Sequence, residues 1–286
     1  MTPRVLVTGA NGVVGSAVVK HLLSFNIEAV ALQDETGIRT DLRSINAKTH
    51  PIQDVDFIVH CAAPIPGKNS SAYPARIEKD IDQIDLNVMK LAKRFNSRVF
   101  YLSTCGLYVR THNDFLSEEQ DLAPRSPYFL AKQRGESRFL NHTNAVVLRI
   151  SSPFGEKIHP TAVLAKYLDG FQRNANLDLW GSGAREQDYV CTEDIANFVY
   201  KQIMKWTSGV FNVVSGNPIT MLELARLIVS NSNSEICFTG LEDPEEGLYS
   251  RFSALKANGL LDWEATISIR SWIEVAKLKG SSLWMK

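Results

Sequence analysis

Apolar residues arrive along this chain in short solid runs, separated by longer stretches with helical spacing. Val5, Leu6 and Val7, inside Arg4 to Thr8, leave no polar alternate, as in a parallel strand covered on both faces. The period then lengthens: Val14, Val18 and Leu22, with Phe25, predict a helix over Val13 to Ser24. A second strand is expected over Glu28 to Leu32. The alternation repeats, with strands at Phe57 to Cys61, Arg98 to Ser103 and Ala145 to Ile150, and helices at Pro74 to Phe95 and Pro127 to Asn141. Strands alternating with helices predict an α/β fold with a doubly wound parallel sheet and right-handed crossovers.

After Ile150 the rhythm breaks at Pro153, Gly155 and Pro160, which predicts a boundary between a first domain over 1–150 and a smaller α/β domain over 151–286. Part of the latter, about 186–214, is expected to return to the first side. Thr220 and Glu223 stand at capping-box spacing before a helix. Gly259 is expected to close a short helix over Ser253 to Asn258, and Gly280 to close a last one over Ser268 to Lys279. Asp188 and Asp194 are read as orienting backbone and capping the helix that starts near Thr192.

Between the first strand and first helix, Thr8-Gly-Ala-Asn-Gly-Val-Val-Gly15 puts glycine at 9, 12 and 15. A helix N-terminus presents unpaired N–H groups and the positive end of the helix dipole, and glycines let the backbone bend sharply and approach a ligand. The turn therefore reads as a pyrophosphate cradle.

Composition narrows the partners. With 31 basic and 31 acidic side chains in 286 residues, no overall field draws the chain to nucleic acid or an anionic membrane. The expected partner is a small molecule. Cys61, Cys105, Cys191 and Cys237 are scattered without C-x-x-C pairing, so neither a zinc site nor a disulfide framework is expected, and Cys105 reads as a small buried apolar group. No signal-peptide pattern and no spanning apolar run occur, which predicts a cytoplasmic protein. The five tryptophans, at 180, 206, 263, 272 and 284, are expected to fill core and interface.

These motifs together resemble the extended short-chain dehydrogenase/reductases, the group of NAD-dependent nucleotide-sugar epimerases, dehydratases and reductases. His60-Cys-Ala-Ala63 is similar to the group's H-x-A-A segment along the cofactor, with His60 fixing backbone there. Leu102-Ser-Thr-Cys-Gly-Leu-Tyr108 is similar to its S-S/T-x-x-x-Y strand end, and Tyr128-Phe-Leu-Ala-Lys132 to its Y-x-x-x-K pair. The resemblance implies NAD or NADP, with NAD slightly favoured, held by Gly9, Asn11, Gly12, Val13, Val14, Gly15, Gln33, Asp34, Asp41, Leu42, Cys61, Ala62, Ala63, Asn87, Leu102, Ser103, Tyr128 and Lys132. It also implies a catalytic set of Thr104, Tyr128 and Lys132, hydride transfer at a sugar carbon, and a homodimer through the two longest helices. Independently of resemblance, residues four apart share a helix face, so the Lys132 ammonium is expected to draw the Tyr128 phenol down from its usual range near pH ~10.

Four positions depart from the group. Gln33 stands where NAD-preferring relatives carry an acid on the ribose, leaving Asp34 to substitute and Arg39 near enough to favour a 2′-phosphate. Gln187 replaces a phosphate-gripping arginine, with Arg185 two residues early. Ser152 replaces an asparagine, and Arg251 is expected to supply a phosphate contact. Cys105-Gly106 follows Thr104 where a dehydratase has Asp-Glu, which argues against loss of water. The leading expectation is an epimerase or reductase acting on a nucleotide-linked sugar, with a reductase of a non-nucleotide carbonyl and a non-catalytic cofactor-binding sensor or scaffold as the alternatives.

Overall fold

The computed structural model describes residues 2–32, 40–65, 74–109, 115–142, 144–247 and 249–280. Its first half runs β1 (Arg4–Thr8), α1 (Val13–Ser24), β2 (Glu28–Ala31), β3 (Phe57–His60), α2 (Pro74–Phe95), β4 (Arg98–Thr104), α3 (Pro127–His142) and β5 (Ala145–Ile150). The second half has β6 (Ser152–Phe154), α4 (Val163–Gln172), β7 (Leu177–Leu179), β8 (Glu186–Gln187), β9 (Tyr189–Cys191), α5 (Thr192–Met204), β10 (Gly209–Val213), β11 (Ile219–Thr220), α6 (Met221–Val229), β12 (Ile236–Phe238), α7 (Leu255–Leu261) and α8 (Ile269–Lys279).

Six strands form one parallel sheet in the order β10-β5-β4-β3-β1-β2. From β1 the chain steps outward to β2, then crosses to β3 on the other side, so the strand order reverses between β1 and β3. A crevice opens there, at the carboxyl ends of the strands. One apolar core joins the sheet to α1 and α5 through Val18, Leu22, Ile195 and Phe198. A second lies on the opposite face, where Val88, Leu91 and Phe139 meet Leu6 and Tyr101. A third holds the smaller lobe together, packing α4, α6 and α8 with β7 and β9 through Leu164, Leu224 and Ile273. The chain crosses between lobes repeatedly: β10 is an edge strand of the large sheet, and Trp263, fully buried, belongs to the first core.

The helix ends have clear local reasons. Helices α1, α2, α4 and α6 are followed by Asn26, Asn96, Asn174 and Asn231 at φ 58, 52, 51 and 62°, since asparagine tolerates the left-handed region that ends a helix. Gly259 lies inside α7, which stops at Asp262 with φ 51°. Phe25 leaves the apolar stripe of α1; it is 48% exposed and stacks on Tyr200 at 4.2 Å. Asp194 accepts from Thr266 Oγ1 (2.9 Å) and the Ile267 amide (3.0 Å), and Asp188 from the Ser215 amide and hydroxyl (3.1 and 2.7 Å). Both hold distant chain in place, and no side chain caps α5. The capping box at Thr220 and Glu223 forms. Among the described residues no helix is long and apolar enough to cross a membrane.

Candidate functional site

The glycine turn lies against its neighbours with no room for side chains. Gly9 has φ +66°, and a Cβ there would stand 2.9 Å from the Ala62 nitrogen. A Cβ on Gly15 would lie 2.2 Å from the Gly9 carbonyl oxygen, which the Gly12 amide needs for its 2.8 Å hydrogen bond. No side chain caps α1 behind this turn. The amides that open the helix therefore remain for a ligand, as a dinucleotide's pyrophosphate requires.

A buried relay fixes the opposite wall. The Thr8 hydroxyl accepts from the Ala62 amide (3.2 Å) and lies 2.8 Å from His60 Nδ1, while His60 Nε2 lies 3.1 Å from Asp85. Burial pushes the His60 pKa down, so the ring is neutral. A carboxylate oxygen accepts, so Nε2–H donates to Asp85 and Nδ1 accepts from Thr8. Asp85 also accepts from Tyr101 (3.0 Å) and Arg138 (3.4 Å). The turn and the 61–63 segment are thereby locked to α2.

Between these walls and the smaller lobe lies a cavity of about 510 Å³, lined among others by Gly9, Gly12, Val13, Val14, Gly15, Cys61, Ala62, Ala63, Leu102, Ser103, Thr104, Tyr128, Lys132, Ser152 and Gln187. Thr104 ends β4, and its hydroxyl accepts from the Gly106 amide at 3.1 Å. A Cβ on Gly106 would stand 2.6 Å from the Phe129 ring, so the turn after Thr104 packs directly on α3. Ser126 accepts from the Phe129 amide (3.3 Å) and Pro127 opens α3, which starts the helix where Tyr128 faces the cavity. Cys105 is buried, donates to the Arg149 carbonyl, and has its thiol pushed well above the usual range by that burial.

The electrostatics differ from the expectation drawn from spacing. Lys132 is 4% exposed and its ammonium sits 4.0 Å from the centre of the Tyr101 ring. Burial lowers its pKa, opposed by Asp85 and Glu136. Tyr128 is pushed up to about 12, first by burial and then by Asp85. In this arrangement the carboxylate, rather than the lysine, is the charge that shifts the phenol.

Not every candidate residue meets in the cavity. Asn87 is buried and donates to the carbonyls of Leu42 (2.8 Å) and Arg43 (3.2 Å), holding the turn at 41–43. Asp41 is bound bidentately by Arg43, and Leu42 is core. The Asn11 carbonyl accepts from Lys157 at 3.2 Å. Gln33, Asp34 and Arg39 lie outside the described residues. Gln187 and Ser152 are brought together, the amide donating to the hydroxyl at 2.7 Å. Arg185 lines a separate cavity of about 630 Å³ and pairs with Asp243 and Glu245, each at 3.1 Å. Arg251 closes its guanidinium on Glu186 at 2.8 and 3.0 Å.

Sequence reasoning missed Asp85, Tyr101 and Glu136. Glu136 continues the row from Tyr128 through Lys132 at four-residue spacing and binds Arg149 at 2.8 Å, both side chains buried. Asp85 interrupts the apolar row of α2 among Ile77, Ile81, Ile84 and Val88. An acid on an otherwise buried face was the available signal.

Residues 5–213 match the profile of the NAD dependent epimerase/dehydratase family. The chain belongs to that family. The protein is accordingly an NAD(P)-dependent enzyme of the extended short-chain dehydrogenase/reductase type. Among curated relatives, UDP-glucuronic acid decarboxylase 1 of Danio rerio is 26% identical over 294 residues, covering 93% of this chain and 70% of the relative. Two solved structures share the fold. One is UDP-glucuronic acid 4-epimerase of Bacillus cereus in complex with UDP-glucuronic acid and NAD (TM-score 0.84, 20% identity, 96% of this chain and 99% of that one). The other is RMD of Pseudomonas aeruginosa with NADPH (TM-score 0.85, 21% identity, 98% and 99%).

Proposed function

We propose that this protein is an epimerase or reductase acting at a hydroxyl or carbonyl carbon of a sugar, with Tyr128 as acid/base, Thr104 as hydrogen-bond donor to the same substrate oxygen, and Lys132 as the cation beneath them. The observation that carries this is the meeting of Thr104, Tyr128 and Lys132 with the glycine turn around one cavity. Gly9, Gly12 and Gly15 fit a pyrophosphate, and Ala62, Ala63, Leu102 and Ser103 would border the ring beyond it. When bound, NAD or NADP supplies the hydride acceptor or donor. Tyr128 gives a proton to the substrate oxygen on reduction and takes one on oxidation. Thr104 fixes where that oxygen sits, and Lys132 lines the same cavity as the cation nearest the reacting groups.

The relatives are named for nucleotide-linked sugars, which makes those the reference substrates. The smaller lobe, 151–286 apart from the strands and helices it returns to the sheet, is read as the part that closes on substrate. A homodimer through α2 and α3 belongs to the same reading, supported by Leu130 and Leu140, 41% and 38% exposed on α3. The four free cysteines support a reducing, cytoplasmic setting.

Tyr128→Phe tests the catalytic assignment. Turnover in an NAD(P)-linked assay should fall by about 10²- to 10⁴-fold while cofactor affinity is kept. Unchanged turnover would remove Tyr128 from the chemistry.

A further inference from the structure

We infer that the substrate end of this site accepts an uncharged hydroxylated or carbonyl compound, such as a free sugar or its lactone, in preference to a nucleoside diphosphate. The inference rests on the hydride-transfer reading above and narrows its substrate class.

A diphosphate is gripped by guanidinium forks or free ammonium groups facing it. In the cavity that holds Tyr128, Lys132 is the one lysine or arginine among the described lining residues, and its ammonium packs on the Tyr101 ring. The substrate half is built from Ser152, Pro153, Gln187, Phe252 and His159. Gln187 and Ser152 already form a neutral pair, the amide nitrogen also reaching the Asp188 carbonyl at 3.5 Å, and the Gln187 oxygen with the Ser152 O–H offers one acceptor and one donor to a hydroxyl or carbonyl.

The separate cavity lined by Arg185 is balanced in charge. Its described lining carries three cations, Lys166, Arg173 and Arg185, against three carboxylates, Asp178, Asp243 and Glu245. Arg173 is bound to Asp169, and Arg185 to both Asp243 and Glu245. The Asp243 side chain is only 8% exposed, so drawing Arg185 toward a phosphate would strand a buried carboxylate. Arg251 has one edge of its guanidinium, Nε and Nη2, on Glu186. Glu246 holds the Ser182 amide and hydroxyl, which fixes the acidic segment across this face. An incoming diphosphate would compete with a carboxylate at each of these arginines.

The test uses the whole protein saturated with NAD. Calorimetric titration with UDP and UDP-glucose should show no saturable binding up to about 1 mM. In parallel, a panel of unphosphorylated aldoses, polyols and lactones should contain a compound whose turnover is lost in Tyr128→Phe. The triple variant Gln187→Arg, Asp243→Asn, Glu245→Gln should bind UDP at least about tenfold more tightly than wild type; Q187R alone serves if the triple variant does not fold. Micromolar binding of UDP or UDP-glucose to wild type overturns the inference, as does a folded variant that gains no affinity. Turnover with neither class would instead remove the hydride-transfer reading, and the UDP titrations would still judge the charge of the site.

Discussion

Lys132, at 4% exposure, would tend to lose its proton to burial alone, and two carboxylates, Asp85 on α2 and Glu136 one turn further along α3, oppose that loss. Asp85→Asn keeps the shape but removes one of them, so the Lys132 amine should deprotonate at lower pH. The alkaline fall in turnover would then move to lower pH than in wild type, a shift that a kcat-pH profile reads. Glu136 has a second duty, since it pairs Arg149 at 2.8 Å and accepts from Ser103. Glu136→Ala strands a guanidinium that is 5% exposed, and urea denaturation should show a loss of roughly 3–5 kcal/mol. Spacing alone exposed Tyr128 and Lys132, because helix geometry puts i and i+4 on one face whatever surrounds them. It hid Glu136 and Asp85, because acids on a helix look the same whether they face water or a buried cation. It also left Arg185 and Arg251 looking free, since the carboxylates that close on them, Asp243 and Glu186, lie 58 and 65 residues away along the chain.

At the scale of elements, the strand-turn-helix unit at the amino end follows directly from its residues. β1 and α1 have the expected limits, as do α2 and β5, because an unbroken apolar run and a 3.6-residue period are each set locally. The glycine positions are equally local: a Cβ on Gly15 collides with the Gly9 carbonyl at 2.2 Å. Gly15→Ala must open the turn, and NAD affinity should drop by about tenfold or more, seen as a rightward shift in a fluorescence titration. A variant that bound NAD normally would place the pyrophosphate elsewhere. Local rules failed at α7, where burial of Ala257 and Leu261 carries the helix past Gly259. A glycine costs a helix interior only about 1 kcal/mol, less than burying a leucine returns.

For the whole molecule, alternation of strand and helix made the parallel sheet legible, but not that β10 would pair beside β5, Val210 against Val147. That pairing is decided by burial between positions 63 apart in the chain, which no local window contains. The same long-range burial has a consequence for alkaline stability. Tyr128, Tyr167, Cys61 and Cys191 are each raised to about 12, chiefly by burial, and Tyr101, Tyr108, Tyr189 and Cys105 are also raised. All eight stay protonated in the folded protein at a pH where the unfolded chain, with thiols near ~8.5 and phenols near ~10, has begun to ionise. Unfolding then releases protons, so the stability these groups contribute is complete below the unfolded values and is lost as pH rises above them. Each such group removes about 1.4 kcal/mol per pH unit once its unfolded form is ionised. Lys132 alone, with its pKa lowered, acts in the opposite sense over part of this range. The melting temperature should therefore hold near neutrality, begin to fall above about pH 9, and fall more steeply beyond about pH 10 as the phenols join the thiols. A melting temperature that stayed level from pH 8 to about pH 11 would mean that these side chains titrate in the fold as they do in water.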